Sequence, residues 1–200
     1  MKNTWLQTLL NKTCSVAFVG LLCCGWTFAQ QTADWAKLDS VEGRFSVSMP
    51  TKPEAGTRDV DTAVGKLPLY TFNSSNQVAQ VIVSYADYPS EPSDAAQYEK
   101  VLDGVRDGLL RGLEANLISE TRVILKSHPG RELRAKRMFG DVEIVFTWKI
   151  YLVGRRLYQM GAATTTADAE APDVQRFFNS FQLMSSETLP SSTAGLPVAD

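Results

Sequence analysis

The chain of 200 residues has very few of the side chains that most often perform catalysis or bind transition metals. It has one histidine, His128, and three cysteines, Cys14, Cys23 and Cys24, which all lie in the first 24 residues. The rest of the chain therefore has no disulfide framework and no thiolate metal site. A hydrophobic core must stabilise it, and a chain of this length can bury one.

Sequence motifs of the common enzyme and cofactor sites are also missing. The chain has no Gly-x-Ser-x-Gly, no Gly-x-Gly-x-x-Gly, no phosphate-binding loop and no Asp-x-Asp-x-Asp-Gly calcium loop. His128 lies between Ser127 and Pro129 in a predicted turn, where we expect a solvated side chain rather than a catalytic base. The sequence thus predicts no catalytic residue, no metal and no cofactor. A pair of carboxylates that meets only in space, as in a glycosidase, remains an alternative.

No excess of charge of one sign points to a polyanionic partner. The chain has 20 Lys and Arg against 22 Asp and Glu, which gives a net charge of −2. Nucleic acids and anionic membranes recruit proteins through concentrated positive charge, so neither is expected as the main partner. The composition, 44% hydrophobic and 21% charged, is that of one ordinary soluble domain.

The longest apolar run lies near the N terminus and is too short to cross a membrane. Lys2 and Lys12 precede residues 16–26, which are almost all apolar, and Ala29 supplies the small residue before a cleavage site. This pattern predicts a secretory signal peptide over residues 1–29. We therefore expect a secreted or periplasmic protein that keeps no transmembrane anchor after cleavage.

Two consequences of this signal peptide concern charge and lipid attachment. Loss of Lys2 and Lys12 with the peptide changes the net charge from −2 to −4. Lipid attachment at Cys23 or Cys24 fits less well, because neither is preceded by the small residue that such sites require.

The first half of the remaining chain reads as a series of strands. Phe45, Val47 and Met49 alternate with polar residues and predict a strand with one buried face, which ends at Pro50. Further strands are predicted over three ranges: 57–64, 67–74 and 77–86. From Asp94 to about Leu117 the apolar period becomes helical, with Ser93 or Asp94 as the N-cap.

The second half predicts an antiparallel meander followed by a second helix. Three strands joined by two tight turns form the meander. The predicted strands of this half cover residues 118–126, 131–139, 142–153 and 156–164. Apolar side chains recur at every second position of the third of these strands and predict one buried face: Val142, Ile144, Phe146, Trp148, Ile150 and Leu152.

These elements predict one α+β domain over residues 30–184, in which helices pack on an antiparallel sheet. The second helix is predicted from Asp168 to about Phe181. Residues 185–200, rich in Ser, Thr and Pro, predict a disordered tail.

Three glycines recur at every fourth residue of the first helix: Gly104, Gly108 and Gly112. Each should cost about 0.5–1 kcal/mol relative to alanine, so their spacing indicates a purpose. One interpretation is close packing of the helix backbone against the sheet, and the other is association with a second copy or a partner.

Cations concentrate on the predicted meander: Arg131, Arg134, Lys136 and Arg137, with Arg155 and Arg156. Arg134 and Lys136 share one face, and Lys149 and Tyr151 lie on the adjacent strand. One interpretation is a surface for an anionic ligand or an acidic partner. The alternative is a solvated outer face, whose charge is offset by neighbouring carboxylates.

The order of elements, with four short segments, is similar to a known group of secreted bacterial proteins of unknown function. The segments are EGRFSVSMP (Glu42–Pro50), HPGRELR (His128–Arg134), GRRLYQM (Gly154–Met160) and FFNSFQL (Phe177–Leu183). Over residues 35–184 the chain resembles the PsbP-like fold, shared by photosystem extrinsic subunits and periplasmic DcrB-type proteins. The resemblance implies an α/β/α sandwich around an antiparallel sheet and a non-catalytic binding or accessory role. The metal and photosystem contacts of PsbP have no matching residues here, and none is carried over.

The combined expectation is an exported, non-enzymatic domain that binds a protein or small-molecule partner as a monomer or weak dimer. Two alternatives remain: a carboxylate-based hydrolase or lyase, and a structural envelope protein that self-associates through the glycine-lined helix.

Overall fold

The computed structural model describes residues 35–184, and the predicted signal peptide and tail lie outside these described residues. The helices are α1, Ala95–Leu113, and α2, Pro172–Asn179, with a short 3-10 helix at Thr166–Asp168. The strands, in chain order, are β1 Ala36–Ser40, β2 Phe45–Met49, β3 Glu54–Thr62, β4 Gly65–Ser75, β5 Ala79–Asp87, β6 Asn116–Leu125, β7 His128–Phe139, β8 Val142–Val153, β9 Arg156–Thr165 and β10 Gln182–Leu183.

Seven of these strands form one antiparallel sheet in the order β3-β4-β5-β9-β8-β7-β6. Strands β6 to β9 are consecutive neighbours, which extends the predicted meander from three strands to four. Pairing of β5 with β9, from Ala79↔Thr164 to Asp87↔Arg156, joins the two halves of the chain. A smaller antiparallel sheet has the order β1-β2-β10.

The smaller sheet and α2 cover one face of the large sheet. Phe45, Val47 and Met49 are all buried there, as the alternation in the sequence predicted. The Phe45 ring stacks on the Phe181 ring at 5.4 Å between centroids and meets further aromatic rings edge-on. Burial of these aromatic and aliphatic side chains fixes the small sheet on the large one.

Helix α1 covers the other face of the large sheet. Ile150 and Leu152 of β8 pack against the buried Leu102 of α1, while Ile144 and Phe146 form an adjacent cluster below the end of the helix. The predicted apolar face of this strand is therefore buried, but the opposite face is buried as well at Val145 and Tyr151, under the smaller sheet and α2. No helix within residues 35–184 is long and apolar enough to span a membrane.

Both helices are shorter than predicted, for identifiable reasons. Asp94 caps α1 by accepting a hydrogen bond from the Gln97 backbone N–H at 2.8 Å. The helix ends at Glu114, whose φ of 51° is left-handed, because the residues from Asn116 onward pair in β6. Helix α2 begins only at Pro172, a residue favoured in the first helical turn.

The predicted α/β/α sandwich is correct in the antiparallel sheet and in its two helices but not in the proportion of helix. One face carries the eight-residue α2 together with a three-stranded sheet, so the protein is mostly β. The sequence pattern does not predict β1 or β10. These short strands pair with β2 from both sides and have few apolar residues of their own.

Candidate functional site

Three turns meet at one end of the large sheet and enclose a cleft of about 450 Å³. The turns β6–β7 and β8–β9 lie at the same end because successive strands of a meander run in opposite directions. The turn between β1 and β2 reaches the same place from the smaller sheet, and Leu183 and Met184 complete the wall.

Each of the three turns contributes a cation to the cleft: Arg44, Lys126 and Arg155. All three are exposed, and none forms an ion pair with another described residue. Lys126 donates from Nζ to the Leu183 carbonyl at 3.1 Å. Three positive charges are thus brought together without an ion pair to any described carboxylate.

A fourth cation, Arg156, is instead committed to the structure of the cleft. Its guanidinium binds Asp87 through two hydrogen bonds of 2.7 Å and donates from Nη1 to the Glu42 carbonyl at 2.6 Å. The Tyr158 hydroxyl donates to the Gly43 carbonyl at 2.8 Å. These bonds fasten the β1–β2 turn to the large sheet and so fix the position of Arg44.

The cations around Asp87 in the cleft lower the pKa of its carboxyl group. The hydrogen bonds from Arg156 hold the pKa of this carboxyl below its ordinary value of 3.8, and the charges of Arg155 and Arg44 act in the same direction. Burial raises the pKa of Tyr158, so its hydroxyl stays a hydrogen-bond donor.

The backbone at these turns is held in an unfavourable conformation. Arg44 and Lys126 have φ values of 56° and 57°, in the left-handed region, and Gly154 has a φ of 60°. Outside glycine this conformation costs about 1–2 kcal/mol. Glu114 is the one other non-glycine residue with positive φ in residues 35–184. Strain that coincides with unpaired cations is typical of a functional site.

Glu91 and His128 complete the polar lining. A Cβ atom at Gly154 would lie 2.6 Å from the Glu91 carboxylate, so glycine allows the loop after β5 to approach the β8–β9 turn. His128 is the first residue of β7 and is half-buried in the wall, not a solvated turn residue as expected. With His128 neutral, four cations and two carboxylates give the lining a net charge of +2.

The chemistry of this cleft suits an anion rather than a metal. It offers guanidinium and ammonium donors, which bind carboxylates and phosphates through charge-assisted hydrogen bonds. Within residues 35–184 no three His, Cys, Asp or Glu side chains come together to hold a metal ion. We call this cleft, lined by Arg44, Lys126 and Arg155, the turn cleft.

The cations singled out from the sequence, Arg134, Lys136 and Lys149, lie on one face of the sheet, but each is paired. Arg134 binds Glu170 at 2.8 Å, Lys136 binds Glu143 at 2.9 Å and Lys149 binds Glu132 at 3.4 Å. Hydrogen bonds from Lys136 and Thr166 hold the pKa of Glu143 below its ordinary value. The face has neighbouring carboxylates for every one of these cations.

Tyr151, the fourth residue of that set, is buried. Its ring lies across Gly130 on β7, where a side chain would collide with the ring and with the Ile150 carbonyl. Burial raises the pKa of Tyr151 to about 12. Tyr151 therefore packs the interior and presents no surface to a ligand.

The glycines of α1 face outward. Gly104, Gly108 and Gly112 are exposed, and a Cβ atom built on each would meet no heavy atom of the described chain within 4 Å. Close packing against the sheet therefore does not explain them. Their role in association remains a prediction.

A cluster of carboxylates does exist, but an arginine occupies it. Arg131, whose side chain is 10% exposed, binds Asp103 at 2.7 Å and Glu120 at 2.6 Å and also binds Glu99. The hydrogen bond from Arg131 holds the pKa of Asp103 below its ordinary value. This network joins α1 to β6 and β7, and it leaves no free carboxylate pair.

The sequence does not predict Arg44 and Lys126 as site residues because they lie far apart in the chain, and it groups Arg155 with the cations of the meander. One available signal was the meander itself, since alternate turns must lie at the same end of the sheet and two of them carry cations. The contribution of Arg44 depends on packing between sheets, which no local pattern encodes.

Comparison with models of protein families finds no match, and comparison with characterised protein sequences finds none either. Among solved structures, the fold is similar to the solution structure of cyanobacterial PsbP (CyanoP) from Synechocystis sp. PCC 6803. The TM-score is 0.51 and the identity 13%, over 82% of this chain and 98% of that one.

A crystal structure from Bacteroides thetaiotaomicron matches with a TM-score of 0.45 and 12% identity, over 76% of this chain and 49% of that one. The similarity to CyanoP establishes a PsbP-like fold. At this identity it extends to the fold alone, and no comparison supports the DcrB-type part of the resemblance.

Proposed function

We propose that the protein is an exported, non-enzymatic binding domain whose turn cleft takes a small multivalent anion. The observation that carries the proposal is the convergence of Arg44, Lys126 and Arg155, none of which forms an ion pair with a described residue, in a lining of net positive charge. A carboxylate or phosphate ligand would supply the missing negative charge. A cleft of about 450 Å³ suits a small molecule or the end of an acidic peptide.

The strain at Arg44 and Lys126 supports a ligand role over simple solvation. A solvated cation can project from any exposed position, and glycine would relieve the left-handed φ at both turns. Retaining a cation there is costly for the fold, and binding would explain why it is present.

The carboxylate-based enzyme is less well supported than the binding domain. A general acid near neutral pH needs a raised pKa. Among residues 35–184 the carboxyl groups with a resolved shift are Asp87, Asp103 and Glu143, and cations lower the pKa of all three. Asp87 in the cleft is moreover held by Arg156 on both oxygens.

Anion binding can be measured by titration calorimetry with citrate and with inorganic phosphate. We expect Lys126→Gly and Arg155→Ser each to weaken binding about tenfold, since a charge-assisted hydrogen bond contributes about 1.5 kcal/mol. Lys126→Gly should leave the fold intact because glycine accepts the left-handed φ. Affinity should also fall with added salt.

Lys52→Gly is the matched control, because Lys52 is an exposed loop cation outside the cleft. It should bind like the wild type. If all variants bind equally, or if the wild type binds neither anion, the proposed ligand class is wrong.

Export has a separate test, because it rests on the sequence of residues 1–29 and not on the cleft. The intact mass of protein recovered outside the cytoplasm should correspond to a chain that begins at Gln30. A full-length chain retained in the cytoplasm, or a lipid-modified cysteine, would contradict this part of the proposal.

A further inference from the structure

The two edges of the seven-stranded sheet differ in a way that points to an interaction surface. Edge strand β3 presents charged side chains along its length: Glu54, Arg58, Asp59 and Asp61. Edge strand β6 instead exposes large apolar side chains. Ile124 is 74% exposed and Ile118 51%, and Leu117 beside them is also exposed.

An open edge strand presents unpaired backbone N–H and C=O groups, and charges along it normally prevent another strand from pairing. Strand β3 follows this pattern. Strand β6 runs for 10 residues, pairs only with β7 in the described sheet, and exposes isoleucine near both ends. Its register with β7 shifts between Leu117 and Ser119, so the regular part of the edge runs from Ser119 to Leu125. Its exposed features favour pairing with a further strand.

The sequence of β6 is self-complementary about Thr121. In an antiparallel pair of two β6 strands centred on this residue, Glu120 of one copy lies opposite Arg122 of the other, and Ile118 lies opposite Ile124. A two-fold axis at Glu120 would oppose two carboxylates, and one at Arg122 would oppose two guanidinium groups. Among axes at Glu120, Thr121 and Arg122, the axis at Thr121 is therefore the one that brings opposite charges together.

The surroundings of Glu120 can accept a further cation. Four carboxylates gather here, from Glu99, Asp103, Asp107 and Glu120, while Arg106 and Arg131 supply two buried or half-buried cations. Arg122 contacts this cluster only at 3.6 Å from Glu99, and its side chain is 88% exposed. Because its side chain is exposed and its ion pair with Glu99 is long, Arg122 can reach the same cluster on a second copy.

We propose that two copies of this chain pair through antiparallel β6 strands in the register Thr121↔Thr121. The pairing joins two seven-stranded sheets into one and covers Ile118 and Ile124 of both copies. It leaves the turn cleft and the outward glycines of α1 outside the contact, so it stands independently of the proposed function.

The test is the mass of the protein in solution, by light scattering or sedimentation over a concentration series into the millimolar range. We expect dimers in the wild type and at least tenfold weaker association in Ile124→Lys and in Arg122→Glu. Val64→Lys is the matched control, because Val64 is a similarly exposed apolar residue on the β3–β4 turn. It should dimerise like the wild type.

The register has its own test in a chain whose Cys14, Cys23 and Cys24 are serine. Thr121→Cys should form an intermolecular disulfide on mild oxidation, because directly opposed Cα atoms lie about 4.5–5.5 Å apart, within disulfide range. Ser119→Cys should not, since its copies would lie about 13 Å apart.

A monomer throughout the concentration series would overturn the proposal. So would a dimer that survives both Ile124→Lys and Arg122→Glu. A dimer lost in Gly108→Leu but kept in these two variants would assign association to α1 instead. Efficient cross-linking through residue 119 in preference to residue 121 would refute the register.

Discussion

Two groups of cations on this protein have the same charge and similar side chains but opposite surroundings. Arg134, Lys136 and Lys149 lie on the β7–β8 face, and each meets a carboxylate. The cations of the turn cleft project from turns, where no cross-strand neighbour places a carboxylate directly opposite them. Strand register and the packing of neighbouring elements therefore place a carboxylate beside each cation of the first group. The cations of the second group have no such partner and are available for a ligand.

The largest effect is expected where a cation of the cleft does have a partner. Arg156→Met should lower the free energy of unfolding by about 3 kcal/mol, because it leaves the partly buried Asp87 carboxylate unpaired and releases the β1–β2 turn. Urea unfolding measures this change. A loss below about 1 kcal/mol would show that the pair is not what fixes the turn.

Asp87→Asn should show a smaller and pH-dependent loss, of about 2 kcal/mol at neutral pH. Because folding lowers the pKa of Asp87 below 3.8, the ionised pair adds stability above that pH. This contribution disappears as the pH falls through the lowered value. Wild type and variant should thus converge in acid, and a difference that persists at the lowest pH would contradict the ionic origin.

Arg134→Gln should have the smallest effect, about 0.5 kcal/mol or less, because its partner Glu170 is largely exposed. The variant should also bind citrate as the wild type does. Weaker citrate binding by Arg134→Gln would contradict the claim that only the cations of the turn cleft bind the anion.

The fold was largely predictable because side-chain alternation reports directly on burial. The apolar face of β8 and the buried face of β2 follow from a period of two residues. Strand β10 escaped prediction because Gln182–Leu183 is held by pairing with Phe45 and Ser46, over a hundred residues earlier in the chain. Pairings of that kind leave no local pattern. Strand β1 pairs with its neighbour β2 but has only two apolar side chains in its five residues.

The candidate site was predictable only in part, and for a related reason. The sequence shows that cations are dense on β7, β8 and the turn that follows, but not which of them meet carboxylates. Arg131 illustrates the limit, since it was counted with a solvated face and is buried beneath α1. Register and packing between layers decide which charges remain free.

The most direct test of the account is an amide chemical-shift map of the protein titrated with citrate. The account predicts shifts that saturate together at the three turns, residues 41–44, 125–128 and 153–156, and small changes at Arg134, Lys136 and Lys149. Shifts centred on those three paired cations, or no saturable shifts at the turns, would contradict it.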